Sequence, residues 1–372
     1  MDFSYSDEQR MLADTLERLI ADQGAPEAAS HKRSAAHAAP SALWLTFAEL
    51  GLLQLPFDEE VGGLGGDGID VMIVMQALGR GLVREPYLAA LLLPGTLLAT
   101  LANEPQQERW LTPLLAGERR LALAWQEAEA RYDAHDIDAR ARRQPHGWVL
   151  DGAKQGVQVA SSAEALLVTA RVDDGSLGVF LVPADTPGLS RRNYRTLDDQ
   201  AASDVRLEGV SVHNDARLGG DAAEALDATL ALGRAALCAE AVGAMQAACD
   251  QTLEYLKERR QFGAPLASFQ VLQHRMVDMH MNLEQARSMA ILAATSLERP
   301  AAERDYRVAA AKAYCGEAAR FVAEQSIQLH GAMGMTDECR VSHHAKRLVM
   351  FDHYLGDVDH HLEFVSERFT AA

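Results

Sequence analysis

Two adjacent arginines stand beside an aromatic residue and a glycine in residues 258–263, Glu-Arg-Arg-Gln-Phe-Gly. Guanidinium groups bind phosphate oxygens in a bidentate manner, so this segment has the residue types that hold a diphosphate. A solvated, charged end of a helix would show the same residues. Taken by itself, the segment favours that simpler interpretation.

A second segment, residues 328–336, reads Gln-Leu-His-Gly-Ala-Met-Gly-Met-Thr. A glycine in a turn after a helix allows the backbone to approach a ligand closely. A helix C-cap followed by a loop explains the same pattern. In isolation the C-cap is again the favoured interpretation.

Histidines and aspartates gather near the end of the chain: His343, His344, His353, Asp357, Asp359, His360 and His361. Such a cluster raises the question of a metal site. Neighbouring histidines point to different sides of a helix, however, and no clear third ligand accompanies any pair. We therefore expect no metal here.

The glycine-rich residues 62–68 lack a following Lys-Ser/Thr pair, which excludes a P-loop and indicates a connector.

The elements that would position these segments change along the chain. Residues 5–115 have helical periodicity and begin with Ser6 and Gln9 in the spacing of a capping box. From 119 to 214 short apolar or alternating runs predict strands, among them 147–152, 165–172, 177–182 and 204–212. Long helices are predicted over 221–257, 268–298 and 301–329, the last ended by Gly331. The order is therefore helical, then sheet, then helical.

Composition limits the classes of function. The chain has 372 residues, 48% of them hydrophobic and 6% aromatic, with a formal net charge of −18. This apolar content excludes global disorder, and the acidity disfavours binding to nucleic acid. The four cysteines are not spaced as a zinc module, and the start lacks the pattern of a signal peptide. Residues 86–102, the most apolar stretch, are interrupted by Pro94 and Gly95, which favours a buried helix pair over a membrane span. A cytoplasmic protein is expected.

In this order, the segments resemble the acyl-CoA dehydrogenase family over nearly the whole chain. The resemblance rests on residues 3–9 (Phe-Ser-Tyr-Ser-Asp-Glu-Gln), 50–53 (Leu-Gly-Leu-Leu), 258–263 and 328–331. The last two motifs, about 70 residues apart at the ends of long helices, are typical of that family. Residues 238–245, 269–275 and 355–361 are most similar to small subunits of pimeloyl-CoA-type dehydrogenases.

The resemblance implies an α+β fold in three domains. These are an N-terminal helical domain at 1–117, a middle antiparallel β domain at 118–215 and a C-terminal four-helix bundle at 216–372. It also implies FAD shared at a subunit interface and an acyl-CoA substrate. In the family a glutamate removes the α-proton of the thioester, the β-hydride goes to the flavin, and an electron-transferring flavoprotein is the expected acceptor.

The residues that one subunit donates to its neighbour's FAD are present. By resemblance they contact the diphosphate and adenine side, and they are Arg259, Gln261, Phe262, Gln270, Gln328, Gly331 and Ala332, the last in place of a second glycine. The residues expected around the flavin ring are only partly present. Gln126 and Tyr132 replace hydroxyl-bearing residues, although Glu127 and Asp133 are kept. The family's Trp-Ile-Thr is Gly-Val-Gln at 156–158.

The family's catalytic base is missing as well. Leu355 stands at the usual position of the glutamate, and Gly233 at the alternative position on the first long C-terminal helix. Arg234, beside Gly233, is kept and is expected where the thioester approaches. Glu240, seven residues after Gly233 on the same helical face, and Asp357 are the candidates for a displaced base, although Asp357 would also suit a helix N-cap.

Three hypotheses follow. The first is a non-catalytic subunit of an α2β2 acyl-CoA dehydrogenase that donates its contacts to the FAD of a paralogous partner. The second is a self-sufficient homotetramer whose base is Glu240 or Asp357. The third is a scaffold that binds acyl-CoA without redox chemistry. Only the first accounts for donated contacts that are kept while the flavin-ring residues are lost.

Overall fold

A computed structural model describes residues 5–22 and 41–371 of the chain, without the side chains of 22 and 369–371. Helix α1 (Asp7–Asp22) begins with the predicted capping box. The Gln9 N–H donates to Ser6 Oγ at 3.1 Å, and the Ser6 N–H donates to Gln9 Oε1 at 3.2 Å. Phe3 and Ser4, the first residues of the opening motif, lie outside the described residues.

Among the described residues, five further α-helices precede the sheet: α2 (Ala42–Glu49), α3 (Gly68–Gly81), α4 (Leu93–Leu101), α5 (Glu104–Gln106) and α6 (Thr112–Leu115). One π-helical segment (Tyr87–Leu92) leads directly into α4, so the expected pair of helices is one continuous run. Pro94 does not break it and lies directly after the π-helical segment, in the first turn of α4.

Eight strands form one sheet in the order β6-β7-β3-β2-β4-β5-β8, with β1 paired to β4. They are β1 (Leu121–Ala124), β2 (Arg140–Gln144), β3 (Gly147–Gln158), β4 (Ala165–Val172), β5 (Leu177–Pro183), β6 (Leu189–Arg195), β7 (Ala201–His213) and β8 (Arg217–Leu218). Most neighbours are antiparallel; β1 and β2 each run parallel to β4. The predicted strands correspond to β3, β4, β5 and β7, whereas the polar edge strand β6 has no apolar alternation that could reveal it.

Long helices then return, as predicted. They are α7 (Ala223–Glu258), α8 (Gln270–Ala294) and α9 (Ala301–His330), followed by α10 (Arg340–His353) and α11 (Val358–Ala371). A small hairpin of β9 (Arg260–Gln261) and β10 (Ala264–Pro265) joins α7 to α8. Helix α9 packs against α8, α10 and α11.

The chain divides into two compact units. The helical unit contains residues 5–22, 68–83 and 234–371, and the sheet unit contains 41–67 and 84–233. The division falls inside α7, between Gly233 and Arg234. The domain boundaries expected at 117/118 and 215/216 stay a prediction.

Within the helical unit, α3 and α7 cross in backbone contact. A Cβ placed on Gly79 would lie 2.0 Å from the Glu240 carbonyl oxygen, and one on Gly243 would lie 1.9 Å from the Gln76 carbonyl oxygen. Both distances are far shorter than any real Cβ contact, so only glycine permits this approach.

The core is rich in alanine and leucine, as the low aromatic content predicts. Helix α7 is long and apolar enough to cross a membrane, and 78% of its most apolar window is buried inside the protein, as in a core helix. All four cysteines are free thiols; Cys238, Cys249 and Cys315 are buried and Cys339 is half-buried.

Candidate functional site

The two family motifs lie at one end of the helical unit. Tyr255, near the end of α7, stacks on His330, the last residue of α9, with ring centroids 4.4 Å apart. The Tyr255 hydroxyl donates to the His330 carbonyl oxygen at 3.4 Å. Arg275 of α8 donates to Gln325 of α9 at 2.9 Å. These contacts bring the segments at 258–263 and 328–332 together beside the start of α8.

The expected FAD-binding residues on this end are all exposed. We call them the Arg259 face: Arg259, Gln261, Phe262, Gln270, Gln328, Gly331 and Ala332. Within the described part of the chain, the side chains of Arg259, Gln270 and Gln328 have no hydrogen bond or ion pair, while Gln261 Nε2 donates to the Arg260 carbonyl oxygen at 2.8 Å. One guanidinium and two amides are therefore free to bind a ligand.

Two backbone features shape the Arg259 face. The hairpin places Phe262 at φ +55°, with its side chain 93% exposed and edge-on to Phe269 at 6.2 Å. Gly331 adopts φ +60°, and a Cβ on it would meet nothing within 4 Å, so its backbone is open to close approach. An aromatic side chain held in solvent beside open backbone is typical of a surface that another molecule covers.

The position that the resemblance predicts for the catalytic base holds Leu355, an apolar residue whose backbone is fixed by hydrogen bonds. Leu355 is 8% exposed and adopts φ +57°, an unusual conformation for a residue with a branched side chain. Its carbonyl oxygen accepts from Arg234 Nε at 2.9 Å and from His361 Nε2 at 3.2 Å. Neither the side chain nor this occupied carbonyl can take a proton from a substrate.

A buried lysine, Lys312, also binds the loop that contains Leu355. Lys312 Nζ donates to the carbonyl oxygens of Phe351 at 3.1 Å, Asp352 at 3.3 Å and Gly356 at 2.8 Å. The carbonyls of Phe351 and Asp352 belong to the last turn of α10, whose partial negative charge favours a cation. Burial lowers the pKa of Lys312 to about 8.

His361 is buried beside these cations. Burial first, and then the positive charges of Arg234 and Lys312, lower its pKa to about 2. The imidazole is therefore neutral at physiological pH and donates one hydrogen bond to the loop. Arg234, Lys312 and His361 thus act together as clamps on backbone carbonyls.

Both candidates for a displaced base already have structural partners. Glu240 accepts from Arg347 at two points, Nε to Oε1 and Nη2 to Oε2, each at 2.7 Å. These two side chains are only 12% and 15% exposed. Asp357 Oδ1 accepts the His360 N–H at 2.9 Å, which makes Asp357 the N-cap of α11. The N-cap interpretation of Asp357 agrees with this geometry.

On the sheet unit, Glu127 is a buried anchor. Its carboxylate accepts from the backbone N–H of Asp138 at 2.8 Å and of Ala139 at 3.2 Å, and from Lys154 Nζ at 2.6 Å. Lys154 also donates to Thr169 Oγ1 at 2.9 Å. Although burial lowers the pKa of Lys154 to about 8, it remains charged near neutrality. Glu127 is kept in this chain as part of that network.

Gln126 and Gly156 occupy two further positions that the resemblance predicts to lie around the flavin ring. Gln126 Nε2 is engaged with the Arg131 carbonyl oxygen at 2.8 Å. Gly156 adopts φ +63°, and a Cβ there would have only the Gln126 side chain within 4 Å, at 3.9 Å. Space beside residue 156, where the family has tryptophan, is therefore open.

Sequence reasoning missed three cations. Lys154 and Lys312 hold loop residues, and Arg347 of α10 pairs with Glu240 of α7. A lone lysine inside the Ala-rich run 308–319 was the available signal for Lys312, because a lysine on an apolar face is buried only when it is paired. Their acceptors lie 15 to 107 residues away, which no local pattern encodes. Among the described residues, no group of three or more His, Cys, Asp or Glu side chains is placed to hold a metal ion.

Three protein-family models match the chain. They describe the N-terminal domain of acyl-CoA dehydrogenase over residues 6–118, the middle domain over 122–210 and the C-terminal domain over 223–370. The three-domain architecture, with helical first and last domains around a β domain, is therefore that of this family, as the sequence predicts.

Individual proteins agree with the family models. The chain is 33% identical to a probable acyl-CoA dehydrogenase, YngJ, of Bacillus subtilis, with 91% of each chain covered. It is also 33% identical to benzylmalonyl-CoA dehydrogenase of Aromatoleum aromaticum, with 93% of each covered. The crystal structure of the ChsE4-ChsE5 complex from Mycobacterium tuberculosis contains a chain that superposes with a TM-score of 0.87 at 25% identity, over 100% of both chains.

The motifs, the fold and these relatives agree across almost the entire length. In the structure, the residues predicted to contact the cofactor lie exposed on one surface, while Leu355, at the position predicted for the base, is buried. The chain belongs to the acyl-CoA dehydrogenase family, the FAD-dependent oxidoreductases that act on acyl-CoA.

Proposed function

We propose that this chain is the non-catalytic subunit of a heteromeric acyl-CoA dehydrogenase, an α2β2 tetramer in which a paralogous partner supplies the base and the flavin-ring site. The observation that carries the proposal is one asymmetry. The Arg259 face presents free donors to solvent, whereas the base position holds a buried leucine whose carbonyl is already bonded.

The residues fit one half of FAD. Arg259 matches the charge of a diphosphate, and Gln270 and Gln328 offer the amide donors and acceptors that adenine and phosphate oxygens require. The sheet unit does not fit the other half, because Gly156 offers no ring to stack and the Gln126 amide is engaged within its own loop. When bound, FAD supplies the acceptor for the β-hydride. This chain's contribution is to bind and orient the diphosphate and adenine side.

Exposed apolar side chains near the Arg259 face support a partner subunit. Phe262 is 93% exposed, Met335 78% and Val271 63%. Solvent contact with such side chains is unfavourable by about 25 cal/mol per Å² of apolar surface, which burial in an interface would recover. The ChsE4-ChsE5 complex, to which the chain is similar, is likewise a complex of two differently named proteins.

A self-sufficient homotetramer is less well supported. Glu240 would have to leave a bidentate ion pair with Arg347, and Asp357 would have to leave the start of α11, before either could act as a base. By resemblance, the substrate class is a dicarboxylic, cyclic or steroid-side-chain acyl-CoA, and the acceptor is an electron-transferring flavoprotein. A cytoplasmic location goes with this proposal.

The test is to express the chain alone and together with a paralogue that retains Trp-Ile-Thr and the glutamate. FAD per protein is measured by absorbance, and turnover by dye reduction with an acyl-CoA. We expect the chain alone to lack both, and the co-expressed complex to have both. Full FAD occupancy and turnover by the chain alone would overturn the proposal.

A variant of the Arg259 face sharpens the test. Arg259→Gln should weaken FAD binding by the complex about tenfold or more, because a charge-assisted bond to phosphate contributes about 1.5–3 kcal/mol. Arg320→Gln, which removes another exposed arginine of the helical unit, is the matched control and should leave FAD affinity unchanged. Equal FAD affinity in both variants would place the cofactor elsewhere.

A further inference from the structure

A cavity of about 860 Å³ lies within the helical unit, apart from the Arg259 face. It is lined by residues of α1, α3 and α7, with Arg287 of α8 and Arg340 at the start of α10. Its volume falls in the range of about 300–1,000 Å³ that is typical of small-molecule sites. None of the residues of the Arg259 face lines it.

The wall of the cavity is built where α3 and α7 touch. Gly243, which lines the cavity, lets α7 approach the backbone of α3 so closely that a Cβ would lie 1.9 Å from the Gln76 carbonyl oxygen. Buried apolar side chains continue this wall, namely Ile73, Val242 and Ala247. A ligand would therefore rest part of its surface on apolar groups.

Polar groups on the inner wall are mainly hydrogen-bond donors. Gln76 Nε2 is buried and has no acceptor among the described residues. A buried donor without a partner is costly, and native structures usually satisfy it with water or a ligand. Arg287 is half-buried and donates to Gln246 Oε1 at 2.7 Å, while Gln246 Nε2 donates to Asp250 Oδ1 at 2.8 Å. Both Oε1 and Nε2 of the Gln246 amide are thus in use, whereas Nε2 of Gln76 is not.

Charge is distributed unevenly between the inner wall and the rim. The three carboxylates of the lining, Asp14, Glu17 and Asp250, are all exposed, as are Arg80 and Arg340. Arg80 is balanced at the rim, 3.8 Å from Glu17 and 3.6 Å from Asp250. Arg287 is the half-buried charge of the lining. Its ion-pair partner Glu284, at 3.4 Å, lies outside the lining.

We propose that this cavity binds a small organic carboxylate. The carboxylate accepts from Arg287 and from the unsatisfied amide of Gln76, and its apolar body lies on Ile73, Val242 and Ala247. A single negative charge suits this wall, because it offers one cation, Arg287, and one unsatisfied donor, Gln76 Nε2. Because none of these residues belongs to the Arg259 face, the site does not depend on FAD or on turnover.

Isothermal titration with sodium octanoate, 1-octanol and octylamine tests the proposal on the purified protein. The three probes share one apolar chain and differ in the head group. We expect octanoate to bind at least tenfold more tightly than octanol or octylamine. Arg287→Gln and Gln76→Leu should each weaken octanoate binding at least fivefold, while Arg320→Gln should leave it unchanged.

Several results would overturn the proposal. They are no measurable binding of octanoate at millimolar concentration, equal affinity for octanol, tighter binding of octylamine, or octanoate affinity that neither cavity variant alters. Thermal melting checks that each variant is folded. Gln76→Leu keeps the test decisive should Arg287→Gln fail to fold, because it replaces an unpartnered amide by an apolar side chain of similar size.

Discussion

At Leu355 the residue type could be predicted to matter from the sequence, but its backbone conformation and its contacts could not. Its place in the sequence already indicated that the glutamate base is absent. That its backbone adopts φ +57°, and that Arg234 and His361 both bind its carbonyl oxygen, could not be predicted, because these facts depend on side chains that are far apart along the chain. Glu127, by contrast, matches the family motif, so the sequence favoured a role at the flavin ring. In the structure its carboxylate instead anchors a loop together with Lys154.

The Glu127–Lys154 pair leads to a prediction at the same scale. Lys154→Met should lower the free energy of unfolding by about 3–5 kcal/mol, because it leaves a carboxylate buried without its cation. Urea denaturation measures the change. The matched control is Arg142→Met, which breaks the exposed pair with Asp151 and should cost less than about 1 kcal/mol. Equal effects of the two variants would show that the buried pair is not an anchor.

At the scale of elements, periodicity predicted the long helices well, because α7, α8 and α9 each bury a long apolar pattern. Helix α8 ends at Ala294 instead of 298, since its last turn is irregular before Pro300 starts α9. Neither the π-helical start of α4 nor the polar edge strand β6 has a sequence signal of its own. The seven residues of the Arg259 face share one exposed surface, but their role with FAD stays a prediction.

The crossing of α3 and α7 predicts that replacing Gly243 by alanine changes stability in the direction opposite to that expected for a free helix. Alanine is a better helix former than glycine by about 1 kcal/mol, so Gly243→Ala in a free helix would stabilise. Here it should destabilise by about 1–3 kcal/mol, because the added methyl group meets the Gln76 carbonyl oxygen.

Gly220→Ala is the matched control, since a Cβ there meets nothing within 4 Å and its stability should change little. Chemical denaturation of both variants and of the parent protein provides the comparison. A Gly243→Ala protein that is more stable than its parent would rule out the backbone contact.

For the whole molecule, acid stability should depend on two buried histidines. His344 is fully buried, with no partner for either ring nitrogen among the described residues, and burial lowers its pKa to about 3; the pKa of His361 is about 2. An unfolded histidine titrates near 6.5. Below that pH the unfolded chain binds protons that the folded chain refuses, so stability is present above pH 6.5 and falls as the pH is lowered.

We predict that His344→Leu reduces this acid sensitivity. Each such histidine costs up to about 1.4 kcal/mol of stability per pH unit below 6.5, so the variant should retain about 2 kcal/mol more of its stability on going from pH 7 to pH 5. Urea titrations at both pH values measure it. His343→Leu, a change at the half-buried neighbour whose ring contacts the Asp337 carbonyl oxygen, should show the pH dependence of the parent. An unchanged pH dependence in His344→Leu would contradict the prediction.

Three of the four cysteines are buried and one is half-buried, so a label on the accessible thiol could be used to follow subunit assembly. A hydrogen bond with Cys238, and then burial, hold the pKa of Cys315 well above its usual value, and burial raises the pKa of Cys249 to about 12. These buried thiols therefore stay protonated and unreactive in the folded chain. Cys339 is half-buried and follows the exposed turn that contains Met335. A maleimide fluorophore should therefore attach to one residue without mutagenesis, close to the surface where a partner subunit is expected, and its emission would follow the arrival of that subunit in real time.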